Sequence, residues 1–543
     1  MPPAETFKLE YSTMTEISTK ITAGTRSPNN LPFLQAQILE RIYLNISRSK
    51  DTSIEELAEL TDYPKSSKIL WGAIKSLIKK GFLIGTLEQP FSFSVPKERI
   101  DFFQKVIERS DYAHKHYSKL LVENFVSQPT QLMLFLERQS ISELNRHGII
   151  HRWYGYLEDF PYWLIEEKIK EYEVDKGCLV LDPFCGSGTT LVCANMFHIN
   201  AVGFDTNPLM AFVSRVKTQW DIDMDKLRDA IVNVATKFLT EIKDLSNIHF
   251  IDESLSRMPK RELNQWLSPV LQREVSLLKR EISKIEDVKI RELLLLAMSK
   301  SCFEASYVSL CPGTTFYPFR EKRDFWDLFS DTVVQIYDDL KLVKQYDTFG
   351  KSRVINDTCL NIQQYLDKNS IDFIITSPPY PNDLEYTRQT RLELYLLDFV
   401  NNMAEIQQLK RKMVKSSTKL IFKESNSAKE VEGFREINEV ANRIYEQTKD
   451  KNWGFDYPRM VREYFGDMYL CMKAIYPFLR DGGHFLLVVG DQTVKGVLIP
   501  VGDILITMAK TLGYKNCKKE LFRMRRSTNH RIPLPEEIVV LEK

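Results

Sequence analysis

The 543-residue chain is 43% hydrophobic and 27% charged, a globular composition that excludes a disordered or fibrous protein. Its length predicts two or three domains. With 74 Lys and Arg against 73 Asp and Glu the net charge is only +1, so any contact with a polyanion must rest on local patches. No apolar run is long enough for a membrane helix, and the first residues, with early acids and no apolar core, do not read as a secretory signal. The eight cysteines form no Cys-x-x-Cys pair, so neither structural zinc nor a disulfide framework is expected.

Residues 1–30, rich in Thr, Ser, Pro and Asn, read as a flexible arm. Residues 31–100 change character. LPFLQAQILERIYLNI is amphipathic at helical spacing, and Ser53 with Glu56 makes a capping box for a second helix. Tyr63-Pro64 interrupts, KSSKILWGAIKSLIKKGF supplies a third helix, and FLIGTLEQPFSFSV reads as two short strands. Three helices and a wing resemble a winged helix-turn-helix, whose third helix would offer Lys65 and Lys68 to DNA. Packing on a neighbour or dimerisation is the alternative use. Residues 101–150 read as a helical connector.

The segment 151–543 carries the sharpest signals. Leu179 to Leu181 is an apolar run suited to a strand buried on both faces, and Gly186 and Gly188 mark a turn. Thr189 to Met196 is helical, and Ala201 to Phe204 is a second strand ending in Asp205. Glycines allow close approach of the backbone to a nucleoside, and an acid after the second strand can accept from both ribose hydroxyls. No Walker lysine follows, so a triphosphate is disfavoured. Further on, Ile371 to Thr376 reads as a buried strand stopped by Ser377-Pro378-Pro379-Tyr380. Two prolines stiffen that turn and aim carbonyls beside one hydroxyl and one aromatic face. Such a turn suits an exocyclic amine, whose nitrogen becomes nucleophilic when its protons are accepted.

DPFCGSGTT followed by GFDTNP, joined to TSPPY in one chain, resembles the S-adenosylmethionine-dependent DNA methyltransferases that modify amino groups of bases. The resemblance covers roughly residues 150–543. It implies an α/β, Rossmann-like methyltransferase fold; a helical insertion at about 221–345 is extra to that core, and the winged-helix-like domain lies in front. It implies that S-adenosylmethionine is lined by Phe160, Phe184, Gly186 and Gly188. Asp205 would hold its ribose and Asp357 its adenine, while Asp182 would brace the loop or the methionine amine. Ser377 and the Pro378 carbonyl would accept the amine protons, Pro379 would stiffen the loop, and Tyr380 would stack on a base swung out of the duplex.

Serine at the head of the tetrapeptide resembles the cytosine-N4 enzymes, and aspartate would resemble the adenine-N6 ones; both readings stay open. So do an RNA or protein methyltransferase and a DNA-binding regulator with an inert methyltransferase half. Two basic runs, with Lys410, Arg411 and Lys412 in one and Arg523, Arg525 and Arg526 in the other, are candidate phosphate contacts on double-stranded DNA. The insertion and a loop at 400–455 are candidates for target recognition. The resemblance further implies a cytoplasmic, nucleoid-associated bacterial enzyme paired with a separately encoded restriction endonuclease, with no metal and no membrane partner.

Overall fold

The computed structural model describes residues 148–156, 160–242, 250–309, 315–316, 323–345, 348–451, 454, 456–526 and 533–543, with Ile74 and the segments 84–86 and 92–94. The chain divides into two compact units, residues 1–125 with 134–139 and residues 126–133 with 140–543. In the first, Ile84–Thr86 pairs antiparallel with Ser92–Ser94. Apart from Ile74, the helices expected around that pair, and with them Lys65 and Lys68, lie outside the described residues.

The second unit is organised by a seven-stranded sheet. Its strands are β1 (Leu179–Asp182), β2 (Asn200–Phe204), β3 (Ser352–Ile355), β4 (Ile371–Thr376), β5 (Leu479–Gly490), β6 (Lys515–Arg526) and β7 (Pro533–Glu542). They lie in the order β6-β7-β5-β4-β1-β2-β3. The neighbours from β3 across to β5 are parallel, and β7 runs antiparallel between β5 and β6. Leu181, Ile374, Leu486 and Val539 are fully buried, as strands covered on both faces require. The chain leaves β1 toward β2 and β3, then returns to place β4 on the other side of β1. That reversal opens a crevice at the carboxyl ends of the strands, where ligands of such sheets bind.

Helices supply the covering layers. α1 (Tyr162–Glu171) precedes β1, α2 (Thr189–Met196) joins β1 to β2, and α3 (Pro208–Lys217) follows β2. The insertion is helical as expected: α4 (Met224–Glu241), α5 (Pro269–Ser283), α6 (Val288–Ala305) and α7 (Phe325–Val343). Asp223, Ser268, Asp287 and Asp324 cap their amino ends through side-chain oxygens. Buried Asp339 of α7 accepts from the Ile150 amide, the Trp153 indole and the Arg152 guanidinium, which fixes the segment before α1 to the insertion.

One expectation changes. Residues 400–455 contain α8 (Met403–Lys412) and α9 (Arg435–Thr448) where a loop was expected, because Ile437, Val440, Ala441 and Ile444 share one buried face of α9. β5, which follows α10 (Tyr457–Ile475), bulges at Gly482-Gly483. Gly482 has φ 76°, and a Cβ on Gly483 would fall 2.7 Å from Leu479 Cδ1 and 2.9 Å from the Arg480 carbonyl. α11 (Val501–Thr511) then leads into β6. Among the described residues, no helix is long and apolar enough to cross a membrane.

Candidate active site

A cavity of about 640 Å³ opens on the carboxyl edge of the sheet, the size class of a small-molecule site. The strand order sets its lining in sequence along that edge. Asp357 follows β3, Asp205 follows β2, Phe184 and Gly186 follow β1, and Ser377 to Tyr380 follow β4. Glu536, opposite Gly490 at the end of β5, completes the row from β7. Phe160 from the segment before α1 joins the lining.

The loop after β1 is held by its own backbone. Asp182 is fully buried, and its Oδ1 accepts from the Phe184 amide at 3.1 Å and from Thr376 Oγ1 at 2.6 Å. It therefore braces the loop against the end of β4 and does not line the cavity. Gly186, at φ 48°, donates its amide to Asp205 Oδ2 at 3.0 Å. Asp205 Oδ1 accepts from the Asn207 amide at 2.7 Å. Burial pushes the Asp205 carboxyl up to about 7 against the pull of those two amides, and the nearby Asp182 charge adds to the rise.

Gly188 was expected to line the cofactor together with Gly186. It is absent from the cavity wall, and a Cβ there would lie 2.8 Å from Ser214 Oγ of α3. At φ 88° it serves the packing of α3 on the loop, and Ser214 Oγ in turn donates to the Gly186 carbonyl at 2.8 Å. Asp357 does line the cavity. Burial opposes its charge, but hydrogen bonds from Asn361, the Thr358 amide and Tyr365 together hold its carboxyl below the usual range.

The β4 turn is held by distant side chains. Ser377 Oγ donates to Tyr380 Oη at 3.4 Å, and Tyr380 Oη donates to Glu536 Oε1 at 2.9 Å, with the Val488 carbonyl at 3.3 Å. Arg523 pairs with the other Glu536 oxygen, and the Arg525 guanidinium sits 5.7 Å from the Tyr380 ring centroid. Burial first, and then the Glu536 charge, push the Tyr380 hydroxyl well up, so it stays protonated. Past the prolines, Asp383 accepts from Ser417 Oγ at 2.8 Å, the Thr418 amide at 2.9 Å and Tyr457 Oη at 2.9 Å.

The basic runs do not all face solvent. Lys410 is buried and bonded to Glu385 at 2.8 Å, so its charge is spent inside the protein and not on a phosphate. Arg411 bonds Glu424 at 2.6 Å, lies 4.5 Å over the Phe422 ring, and lines the cavity beside Lys412. Arg523 is engaged by Glu536, and Arg525 donates to the Asp491 carbonyl, so neither is a free phosphate contact. Arg526 ends β6 opposite Pro533.

Sequence reasoning missed the cavity wall built by 411–415, 422 and 424–427, and it missed Glu536. A signal for Glu536 was present. Leu534, Glu536 and Ile538 alternate on one buried face of β7, so a carboxylate occupies a core-facing parity.

The chemistry of the lining fits S-adenosylmethionine. Asp205 offers a carboxylate for ribose hydroxyls, while Phe160, Phe184, Met210, Leu360 and Leu470 offer apolar surface for a purine. A family model described as DNA methylase matches residues 67–211, which include Asp182 to Gly188 and Asp205. The type II methyltransferase M.BsoBI of Geobacillus stearothermophilus is 26% identical over 449 residues, covering 74% of this chain and 87% of that protein. The type II methyltransferase M.AvaI of Nostoc is 24% identical over 409 residues, covering 70% and 82%. The solved S-adenosylmethionine-dependent methyltransferase SibL aligns over 98% of this chain and 99% of its own at 7% identity, but with a TM-score of 0.27, too low a likeness to support a shared topology. Loop, acid and relatives agree: the chain resembles the amino-methylating DNA methylases of the restriction–modification kind, and S-adenosylmethionine is its methyl donor.

Proposed function

We propose that this protein methylates the exocyclic N4 of cytosine in duplex DNA, as the modification partner of a separately encoded restriction endonuclease. The observation that carries the reading is that Ser377-Pro378-Pro379-Tyr380 opens on the same cavity as Gly186 and Asp205. Phe160, Phe184, Gly186, Asp205 and Asp357 would hold the donor, which supplies an electrophilic methyl group on a sulfonium. The chain's own work is at the amine. Ser377 Oγ and the Pro378 carbonyl accept its protons, drawing the nitrogen toward tetrahedral geometry and freeing its lone pair. Tyr380 stacks on the extruded base, and fixed geometry supplies much of the remaining acceleration.

The serine at the head of the motif supports cytosine over adenine. Lys412, exposed at the rim of the cavity, is the best-placed phosphate contact of its run. The helical insertion α4–α7 and the 400–455 region are the proposed target readers, and residues 31–100 are proposed as a further DNA contact.

The test is mass spectrometry of nucleosides from bacterial DNA after expression of the chain, beside a Ser377→Ala control. N4-methyldeoxycytidine only with the intact protein is the expected result. N6-methyldeoxyadenosine would retain the chemistry and replace the base. Neither product, with the protein folded and cofactor-bound, would overturn the reading.

A further inference from the structure

Serine is a weak base, so the proton lost by the amine needs a destination. We propose that Ser377, Tyr380 and Glu536 form a proton relay that carries it to the Glu536 carboxylate, an inference resting on the amine-methylation reading above. The chain of donors runs in one direction. Ser377 Oγ donates to Tyr380 Oη at 3.4 Å, and Tyr380 Oη donates to Glu536 Oε1 at 2.9 Å. The lone pairs of Ser377 Oγ are left to accept from a base in the cavity that Ser377, Tyr380 and Glu536 all line.

The other acceptor near Tyr380 Oη is the Val488 carbonyl at 3.3 Å, which can fix the hydroxyl but cannot take its proton. Glu536 is 5% exposed, and it faces Tyr380 from the β4 turn and Arg523 from β6. Arg523 takes the other Glu536 oxygen, Oε2, which leaves Oε1 to Tyr380. The high proton affinity of the Tyr380 hydroxyl means that it passes a proton on as it receives one, without resting as a tyrosinate.

The balance closes on groups already present. The amine lone pair forms the nitrogen–carbon bond, the carbon–sulfur bond breaks, and its electron pair stays on sulfur. The nitrogen's proton moves to Ser377 Oγ, the serine proton to Tyr380 Oη and the tyrosine proton to Glu536 Oε1, leaving a neutral carboxylic acid. The 3.4 Å link is long for a hydrogen bond between hydroxyls, and catalytic hydrogen bonds commonly tighten when substrate binds. Glu536 touches the base only through Tyr380 and Ser377, so it is a positioning residue and the terminus of the relay.

Glu536→Gln keeps an oxygen to accept from Tyr380 but cannot be protonated usefully, and Tyr380→Phe keeps the ring but removes the hydroxyl. Each is expected to slow single-turnover methyl transfer by about 10²-fold, the scale of general-base catalysis. Affinities for S-adenosylmethionine by calorimetry and for duplex DNA should stay native. The double variant should be no slower than either single one, and the solvent deuterium effect of the intact enzyme should disappear in all three. Native single-turnover rates in both variants, or additive losses with the isotope effect retained, would overturn the relay. The proposed function fails separately, if the intact enzyme yields no N-methylated base at all.

Discussion

The cofactor half and the base half of the cavity are held by different means. Around Asp205 the chain constrains itself, since both carboxylate oxygens accept amides from residues in the same strand–loop–helix unit, Gly186 and Asn207. Around Tyr380 the constraint comes from far away, with the hydroxyl tied to Glu536, 156 residues later in the chain, on a strand that runs against its neighbours. The first half is a local device that a short stretch of sequence can specify. The second exists only once β7 has inserted between β5 and β6.

That contrast orders the expected effects. The largest falls beside the base half, where Lys410→Ala would strand buried Glu385 without its partner. Chemical unfolding should show a loss of about 3–5 kcal/mol. Lys412→Ala, its exposed neighbour, should keep native stability and weaken DNA binding in a salt-dependent way. The reverse pattern would return Lys410 to the phosphate contacts.

In the cofactor half, Asp205→Ala should weaken S-adenosylmethionine binding by about 1.5–3 kcal/mol in calorimetry, the scale of hydrogen bonds to a charged group. Native affinity would remove the ribose from Asp205. Gly188→Ala should cost about 1–3 kcal/mol of stability, because φ 88° and the 2.8 Å approach to Ser214 Oγ both exclude a methyl group. Gly433→Ala, where a Cβ meets nothing within 4 Å, is the control.

The smallest effect is one of pH. Asp205 is raised from 3.8 to about 7, so the native protein holds a proton there that the unfolded chain has released. The stability from that proton is full below the unfolded value and is lost as pH rises through about 7. Cofactor binding has the opposite sign, because the ionised carboxylate is the better acceptor for ribose hydroxyls. Affinity should rise about tenfold between pH 6 and pH 8 in the intact protein and much less in Asp205→Asn.

The same contrast explains what the sequence reveals. Strand β1, helix α2, strand β2, strand β4, Asp205 and Ser377 were all legible, because apolar runs, glycines and prolines act over a few residues. Gly188 was legible as a glycine but not in its role, since its steric partner Ser214 lies on another helix. The run with Lys410, Arg411 and Lys412 read as a set of phosphate contacts. Charge type does not say where a side chain points, and in the fold Lys410 turns inward to Glu385 while Arg411 and Lys412 face the cavity. The helices at 403–412 and 435–448 were obscured by polar residues, though α9 carries a regular buried stripe. Glu536 needed two facts at once, the alternation of β7 and its place beside β5, and only the first is written locally.

The most direct test of the account is a structure determined with S-adenosylmethionine bound. The ribose is expected on Asp205, the adenine between the apolar walls near Asp357, and the methyl group directed toward Ser377 Oγ. A donor bound outside this cavity, or one whose methyl group points away from Ser377, would contradict it.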